Sequence, residues 1–165
     1  MIAAQHSHAQ GISGALADSS LNRRIDRASI SLLHCYDSTF AAHTRSFVGG
    51  GFWEPNNEDL LRIRKELELD ASDLREIIAD ETFKKFFGIL EGEELKTAPK
   101  NFDKTHPNID LIRKKQYLLT RKFTNAAVLS PNFKDEVIAT FEAMRPFFNY
   151  MSDVLTTDLN GESLY

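Results

Sequence analysis

The chain has little cysteine and no long apolar stretch. Its single cysteine, Cys35, has no second thiol in the sequence with which to form a disulfide. No apolar run approaches the roughly 20 residues that span a bilayer, and the first residues lack the basic and apolar regions of a signal peptide. These absences exclude an internal disulfide framework and argue against a membrane partner. We therefore expect a cytoplasmic protein.

An excess of positive charge is also missing. The sequence has 20 Lys and Arg residues against 24 Asp and Glu residues, a formal net charge of -4. A general attraction to nucleic acid therefore has no support. The length of 165 residues fits one domain, and 42% hydrophobic with 27% charged residues is typical of a globular protein.

Lysine and glutamate are missing from the first part of the chain. Residues 1–46 contain neither, yet they hold eight serines and four of the five histidines. From Phe47 onward the chain is rich in Lys, Glu, Phe and Leu. Such a shift is typical of a tail or a domain boundary. We expect residues 1–45 to be an atypical segment, disordered or read from a shifted frame, and residues 46–165 to be the folded part.

The hydrophobic pattern predicts an α+β fold. Residues 46–54 and 116–123 have the composition of strands, and helical spacing recurs between residues 57 and 88. Ser130 and Pro131 predict the start of a long amphipathic helix, which Pro146 should kink. The expected architecture is a small, mostly antiparallel sheet packed with several helices, the last one long and kinked.

Capping residues indicate the helix ends. Asn56 or Asn57 and then Asp70 or Ser72 are suitable N-caps for the first two helices. Asp80 can begin a third helix, which Gly88 would end.

Three consecutive glycines are the first candidate binding feature. Gly49, Gly50 and Gly51, followed by Trp53, resemble half of a phosphate cradle, so these four residues are candidate ligand-binding residues. The run lacks the Gly-Lys-Ser/Thr ending of a P-loop. Glycines that permit close backbone approach within a strand are the commoner explanation.

A histidine and nearby cations form a candidate catalytic group. His106 lies close in sequence to Lys104, Arg113 and Lys115, which suits an enzyme acting on an anionic or phosphorylated small ligand. These side chains would have to meet in one pocket. A lone loop histidine is more often a cap or a surface group. Whether the protein is an enzyme is left open.

The other basic residues, the early histidines and the cysteine give only weak indications of nucleic-acid or metal binding. Basic residues at positions 113–115 and 121–122 favour nucleic-acid contact or, more commonly, an edge strand protected by charge. The early histidines and Cys35 match no metal-binding spacing. We expect no metal and no cofactor.

Several segments of the chain resemble one known family. They occur in order at residues 46–55 (SFVGGGFWEP), 90–102 (LEGEELKTAPKNF), 106–115 (HPNIDLIRKK), 129–133 (LSPNF) and 150–164 (YMSDVLTTDLNGESL). This set is similar to the conserved hypothetical proteins grouped as domain of unknown function 2461, and the last segment most resembles members from the Bacteroidetes.

Two N-terminal motifs of this family are missing from the chain. Members of the family begin with an Asn-Arg-Glu-Trp-Phe-like motif and an Arg-Asp-x-Arg-Phe-Ser-like motif, and neither occurs here. We expect this chain to be the C-terminal part of such a protein. If the missing segment leaves a sheet edge open, loss of neighbours for Phe47, Val48, Phe52 and Trp53 would favour self-association. The family has no assigned reaction. The resemblance therefore implies a binding or accessory domain with unknown partners, and the anionic-ligand enzyme is the alternative.

Overall fold

The computed structural model describes residues 29–35 and 45–157, which form a sheet covered by helices. The elements in chain order are β1 (Ser29–Cys35), β2 (Arg45–Phe52), α1 (Asn57–Leu69), α2 (Ser72–Ala79), α3 (Glu81–Phe87), α4 (Ile109–Ile112), β3 (Tyr117–Phe123), α5 (Asn125–Val128) and α6 (Phe133–Thr156). The α+β fold class expected from the sequence is confirmed.

The three described strands form one antiparallel sheet in the order β1-β2-β3. Val48 is opposite Leu32 of β1, and Gly50 is opposite Leu119 of β3. Strand β2 is therefore central, and Phe47 and Val48 do not lie on an open edge of the described sheet. Self-association through another edge and the boundary near residue 46 both stay predictions.

The glycines of β2 allow other elements to come very close. A Cβ atom on Gly50 would lie 3.0 Å from Phe148 and 3.1 Å from the sulfur of Met144, both on α6. Gly51 has φ +132°, and a Cβ there would lie 2.1 Å from the Tyr117 carbonyl oxygen of β3. Side chains at these two positions would separate the central strand from its neighbours.

The main core lies between the sheet and helices α1, α2, α3 and α6. The side chains with no exposed surface include Val48, Ile63, Leu67, Leu74, Ile112, Tyr117, Leu119, Met144, Phe147 and Met151. On α6 the sequence predicts Phe141 and Phe148 in the buried stripe. Phe148 is partly buried and packs against the core as predicted, whereas Phe141 is 36% exposed and Phe147, which the stripe did not include, is fully buried.

Two of the expected helix caps are present as hydrogen bonds. The Asn56 Oδ1 atom accepts from the Asp59 N–H at 2.8 Å and begins α1. The Asp80 carboxylate accepts from the N–H groups of Thr82 and Phe83 and begins α3. Gly88, with φ 74°, ends α3 as expected.

Two other helix starts differ from the prediction. Helix α2 has Ala71 at its N-cap without a side-chain cap, and the Asp70 carboxylate instead accepts from the Ser72 N–H at 2.8 Å. Helix α6 begins at Phe133 rather than at Ser130-Pro131, because a separate turn precedes it. It then continues as one element across Pro146.

Two arginines tie the first helices to the loop around α4. The Arg64 guanidinium of α1 donates to the Ile112 carbonyl at 2.9 Å and to the Lys114 carbonyl at 3.1 Å. Arg75 of α2 forms a two-pronged ion pair with Asp110, its shorter contact being 2.6 Å. Both contacts satisfy polar groups of the loop with planar guanidinium donors.

Within the described ranges, none of the helices combines the length and the apolar character needed to cross a membrane.

We expect Gly51→Ala to destabilise the fold far more than Gly88→Ala. Both glycines have positive φ, but no atom lies within 4 Å of a Cβ at Gly88. Gly88→Ala should cost about 1–2 kcal/mol from backbone conformation alone. Gly51→Ala adds a clash with a backbone oxygen and should cost above about 3 kcal/mol or prevent folding. Urea unfolding of both variants measures the difference, and equal losses would contradict the close approach of β2 to β3.

Candidate functional site

A groove of about 820 Å³ lies between α2, α3 and α6. This volume is within the roughly 300–1,000 Å³ typical of small-ligand pockets. We call it the acidic groove. Its lining residues are five carboxylates (Asp73, Glu76, Asp80, Glu142 and Asp153), six apolar residues (Ile77, Phe83, Phe86, Ala139, Ala143 and Pro146) and two hydroxyl residues (Thr82 and Tyr150).

Helical periodicity places these residues together. On α6 the lining positions 139, 142, 143, 146, 150 and 153 recur at the spacing of one helix face. On α2 the positions 73, 76, 77 and the following cap residue 80 do the same. Alanine at positions 139 and 143 leaves space between the helices because its side chain is small. The groove therefore forms because the facing sides of α2 and α6 carry these residues.

The acidic groove lacks a basic lining residue. None of its lining residues is Lys, Arg or His. The Asp80 carboxyl has a pKa below its usual range because it accepts the N–H groups of Phe83 and Thr82, so it remains ionised to lower pH. Beside the groove, burial raises the pKa of Glu66, with smaller contributions from Asp70 and Asp73. Negative charge is therefore concentrated on this side of the molecule.

Tyr150 contributes a buried polar atom to the groove. Its hydroxyl oxygen is essentially inaccessible to solvent and has no hydrogen-bond partner among the described residues. Burial raises the pKa of this phenol, and the negative charges of Glu66, Asp73 and Asp70 raise it further. The hydroxyl therefore stays protonated, and it can still donate a hydrogen bond.

Pro146 changes the backbone of α6 at the groove. A proline has no N–H, so it cannot donate to the carbonyl of Glu142, which lies four residues earlier in the helix. Both residues line the groove. The Glu142 carbonyl therefore lacks the i+4 hydrogen-bond donor of a regular helix.

Arg121 holds the α3 wall of the groove in place. Its guanidinium carbon lies 4.4 Å from the centre of the Phe86 ring and 4.8 Å from that of Phe123. The same group is paired with the carboxylate of Glu136 and donates to the Thr140 hydroxyl at 2.8 Å. Stacking and pairing fix the position of Phe86.

The candidate catalytic residues lie outside the acidic groove. The His106 Nδ1 atom accepts from the Asn108 N–H at 3.2 Å, and Lys104 is exposed in the preceding turn. Arg113 pairs with Glu94, and Lys115 pairs with Glu93. The structure shows these local contacts, and a catalytic role for the four residues stays a prediction.

The basic residues near β3 are largely paired with acids. Glu94 contacts Arg113 at 3.1 Å and Lys114 at 3.0 Å, while Glu93 contacts Lys115 at 3.0 Å. Lys114 is only 8% exposed. These pairs reduce the positive potential that nucleic-acid phosphates would require.

The glycine run lies within a paired strand. A Cβ on Gly49 would lie 3.1 Å from the Trp53 ring, and Gly50 and Gly51 approach α6 and β3 as described above. Their placement gives the glycines a packing role. Ligand binding by Gly49, Gly50, Gly51 and Trp53 stays a prediction.

Sequence reasoning did not identify the groove residues. No recognisable sequence motif includes the groove residues Glu76, Glu142 and Tyr150, which lie on two different helices. One signal was available: Pro146 within a helical pattern, with Glu142 four positions before it and Tyr150 four positions after it. In the described part of the chain, no group of three or more His, Cys, Asp or Glu side chains is arranged to hold a metal ion.

We expect Glu94→Gln to destabilise the protein near neutral pH and to have little effect in acid. Contacts with Lys114 and Arg113 lower the Glu94 pKa, so its contribution is present above the unfolded-state pKa and is lost as pH falls through the folded-state value. The variant leaves the buried Lys114 ammonium without its carboxylate, which should cost about 1–3 kcal/mol.

Urea unfolding of the wild type and Glu94→Gln over a range of pH measures this loss. Glu58→Gln, which removes an exposed i,i+4 pair with Arg62, is the control and should change stability by under about 0.5 kcal/mol. A loss for Glu94→Gln that persists unchanged in acid would contradict the ion-pair explanation.

Comparison with known proteins agrees with the resemblance noted from the sequence motifs. The model of the family described as conserved hypothetical protein (DUF2461) matches residues 27–150. The match begins before residue 46 and includes β1, α2, α3 and the part of α6 up to Tyr150, while the groove residue Asp153 lies beyond it. No curated protein and no solved structure gives a significant match. The chain belongs to the DUF2461 family of conserved hypothetical proteins.

Proposed function

We propose that this chain is a cytoplasmic binding domain whose acidic groove takes a positively charged, partly apolar ligand. One observation supports this most directly: the groove combines five carboxylates with an apolar floor and has no basic residue in its lining. A cation bound there would be attracted by the surrounding negative charge. An anion would be repelled by it.

The groove floor suits the apolar part of such a ligand. Phe83 and Phe86 line one side, with Ile77 and the small residues of α6 between them and Tyr150. The Phe86 ring already has the Arg121 guanidinium at 4.4 Å and the Lys85 ammonium at 5.7 Å from its centre, so Phe86 serves the ligand as an apolar contact. Methylene groups packed on the floor add about 0.8 kcal/mol for each one fully removed from water. Charge attraction and apolar burial would therefore act together.

The lining lacks one common catalytic arrangement. None of the groove's lining residues is Cys, Ser, His or Lys. A nucleophile beside a histidine base is therefore not part of the groove. The alternative of an enzyme acting on an anionic ligand has less support, because Arg113 and Lys115 already pair with Glu94 and Glu93.

We expect 2-phenylethylammonium to bind at least about tenfold more tightly than 3-phenylpropionate. The two probes have similar apolar bodies but opposite charges. Isothermal titration calorimetry gives both affinities, and nitrogen-edited NMR identifies the amides that shift. Shifts in α2, α3 and the 139–153 part of α6 support the proposal. Equal affinities, or shifts confined to other elements, would contradict it.

Carboxylate variants provide a matched test with the same cationic probe. Glu76→Gln and Glu142→Gln each remove one negative charge while keeping side-chain size, and each should weaken binding about three- to tenfold. Glu68→Gln on α1 removes an exposed charge outside the groove and should leave the affinity within about twofold. If all three variants behave alike, overall charge explains the binding and the groove does not.

A further inference from the structure

The acidic groove extends along α6. Its lining on α6 runs from Ala139 to Asp153, and 14 residues of helix extend about 21 Å. A compact ligand with a single charge would occupy only part of that length. The shape therefore favours an elongated ligand, an inference that rests on the function proposed above.

The carboxylates are spread along this length. Glu142 lies towards one end and Asp153 at the other, about 16 Å apart along the helix axis. Asp73, Glu76 and Asp80 line the opposite wall from α2. Ala143 and Pro146 separate the charged positions of α6 with an apolar stretch. Negative charge thus alternates with apolar surface along the groove.

Hydrogen-bonding groups in the groove are mostly acceptors. Five carboxylates accept, and the only side-chain donors of the lining are the hydroxyls of Thr82 and Tyr150, the second of which is inaccessible to solvent. A peptide would bring a carbonyl acceptor at every residue, and most of these would find no donor in the groove. An amine chain has donors and methylene groups, and its charged form has no acceptors. This complementarity favours an amine chain over a basic peptide.

We propose that the ligand of the acidic groove is a linear aliphatic polyamine, with ammonium groups separated by methylene segments. The ammonium groups lie beside the carboxylates at the two ends and along α2. The methylene segments lie on Ala143, Pro146 and Ile77. Binding is reversible and involves no covalent step.

Calorimetric titration of the full chain with three probes tests this proposal. Spermine, a tetraamine, is long enough to reach both ends, whereas 1,4-diaminobutane is not, and Ca²⁺ carries charge without methylene groups. We expect one spermine per chain, bound at least about tenfold more tightly than either of the other probes. Groove amides should shift in nitrogen-edited NMR.

Variants at the two ends sharpen the result. Glu142→Gln and Asp153→Asn should each weaken spermine binding about three- to tenfold, and together they should remove its advantage over 1,4-diaminobutane. Glu68→Gln is the control for net charge. All substitutions keep side-chain size, and far-ultraviolet circular dichroism confirms that each variant is folded.

Three outcomes would overturn the polyamine assignment. Ca²⁺ binding as tightly as spermine would indicate a nonspecific acidic surface. A short arginine-rich peptide binding more tightly than spermine would indicate a docking site for a basic protein segment. Equal affinity for spermine and the short diamine would show that the ligand does not need to reach both ends of the groove. If 2-phenylethylammonium still shifts the groove amides, the proposed function survives that failure, whereas no binding by any cation refutes both.

Discussion

The close approach of β2 to its neighbours is the constraint on which the rest of the structure depends. Gly50 lets Phe148 and Met144 of α6 pack directly on the central strand, and Gly51 lets the β3 backbone come near. Because α6 is held against the sheet in this way, another face of the helix meets α2 and α3. The groove lies where these helices meet. A larger residue in the strand would therefore alter a site that the strand does not line.

Charge is distributed unevenly around this core. The cations near β3 are paired with Glu93, Glu94 and Glu136, so that side of the molecule is locally balanced. The carboxylates of the groove are not balanced by lining cations. The net charge of the whole chain is only -4. The charges are nevertheless unevenly placed: on the β3 side carboxylates and cations are paired, whereas the groove lining contains carboxylates and no cations.

Local sequence signals predicted the elements better than the site. Asn56, Asp80 and Gly88 act where expected because capping depends on residues close together in the chain. The strand 117–123 also follows from its alternation, with Tyr117, Leu119 and Phe123 in the main core. The groove depends on how α2 packs beside α6, and these helices are some 70 residues apart in the sequence. Local sequence patterns do not determine such a contact. The shift of α6 that buries Phe147 is likewise a tertiary effect, since periodicity defines a stripe only approximately.

The arginine contacts of α1 and α2 fasten one wall of the groove to the loop around α4. Arg64 and Arg75 attach these two helices to the loop around α4, so α1, α2 and that loop form one mechanical unit. Helix α3 has only seven residues and lies between a capped turn at Asp80 and the left-handed Gly88. Each wall of the groove therefore has its own arginine anchor, Arg75 for α2 and Arg121 for α3, so the two walls are fastened to the rest of the fold independently.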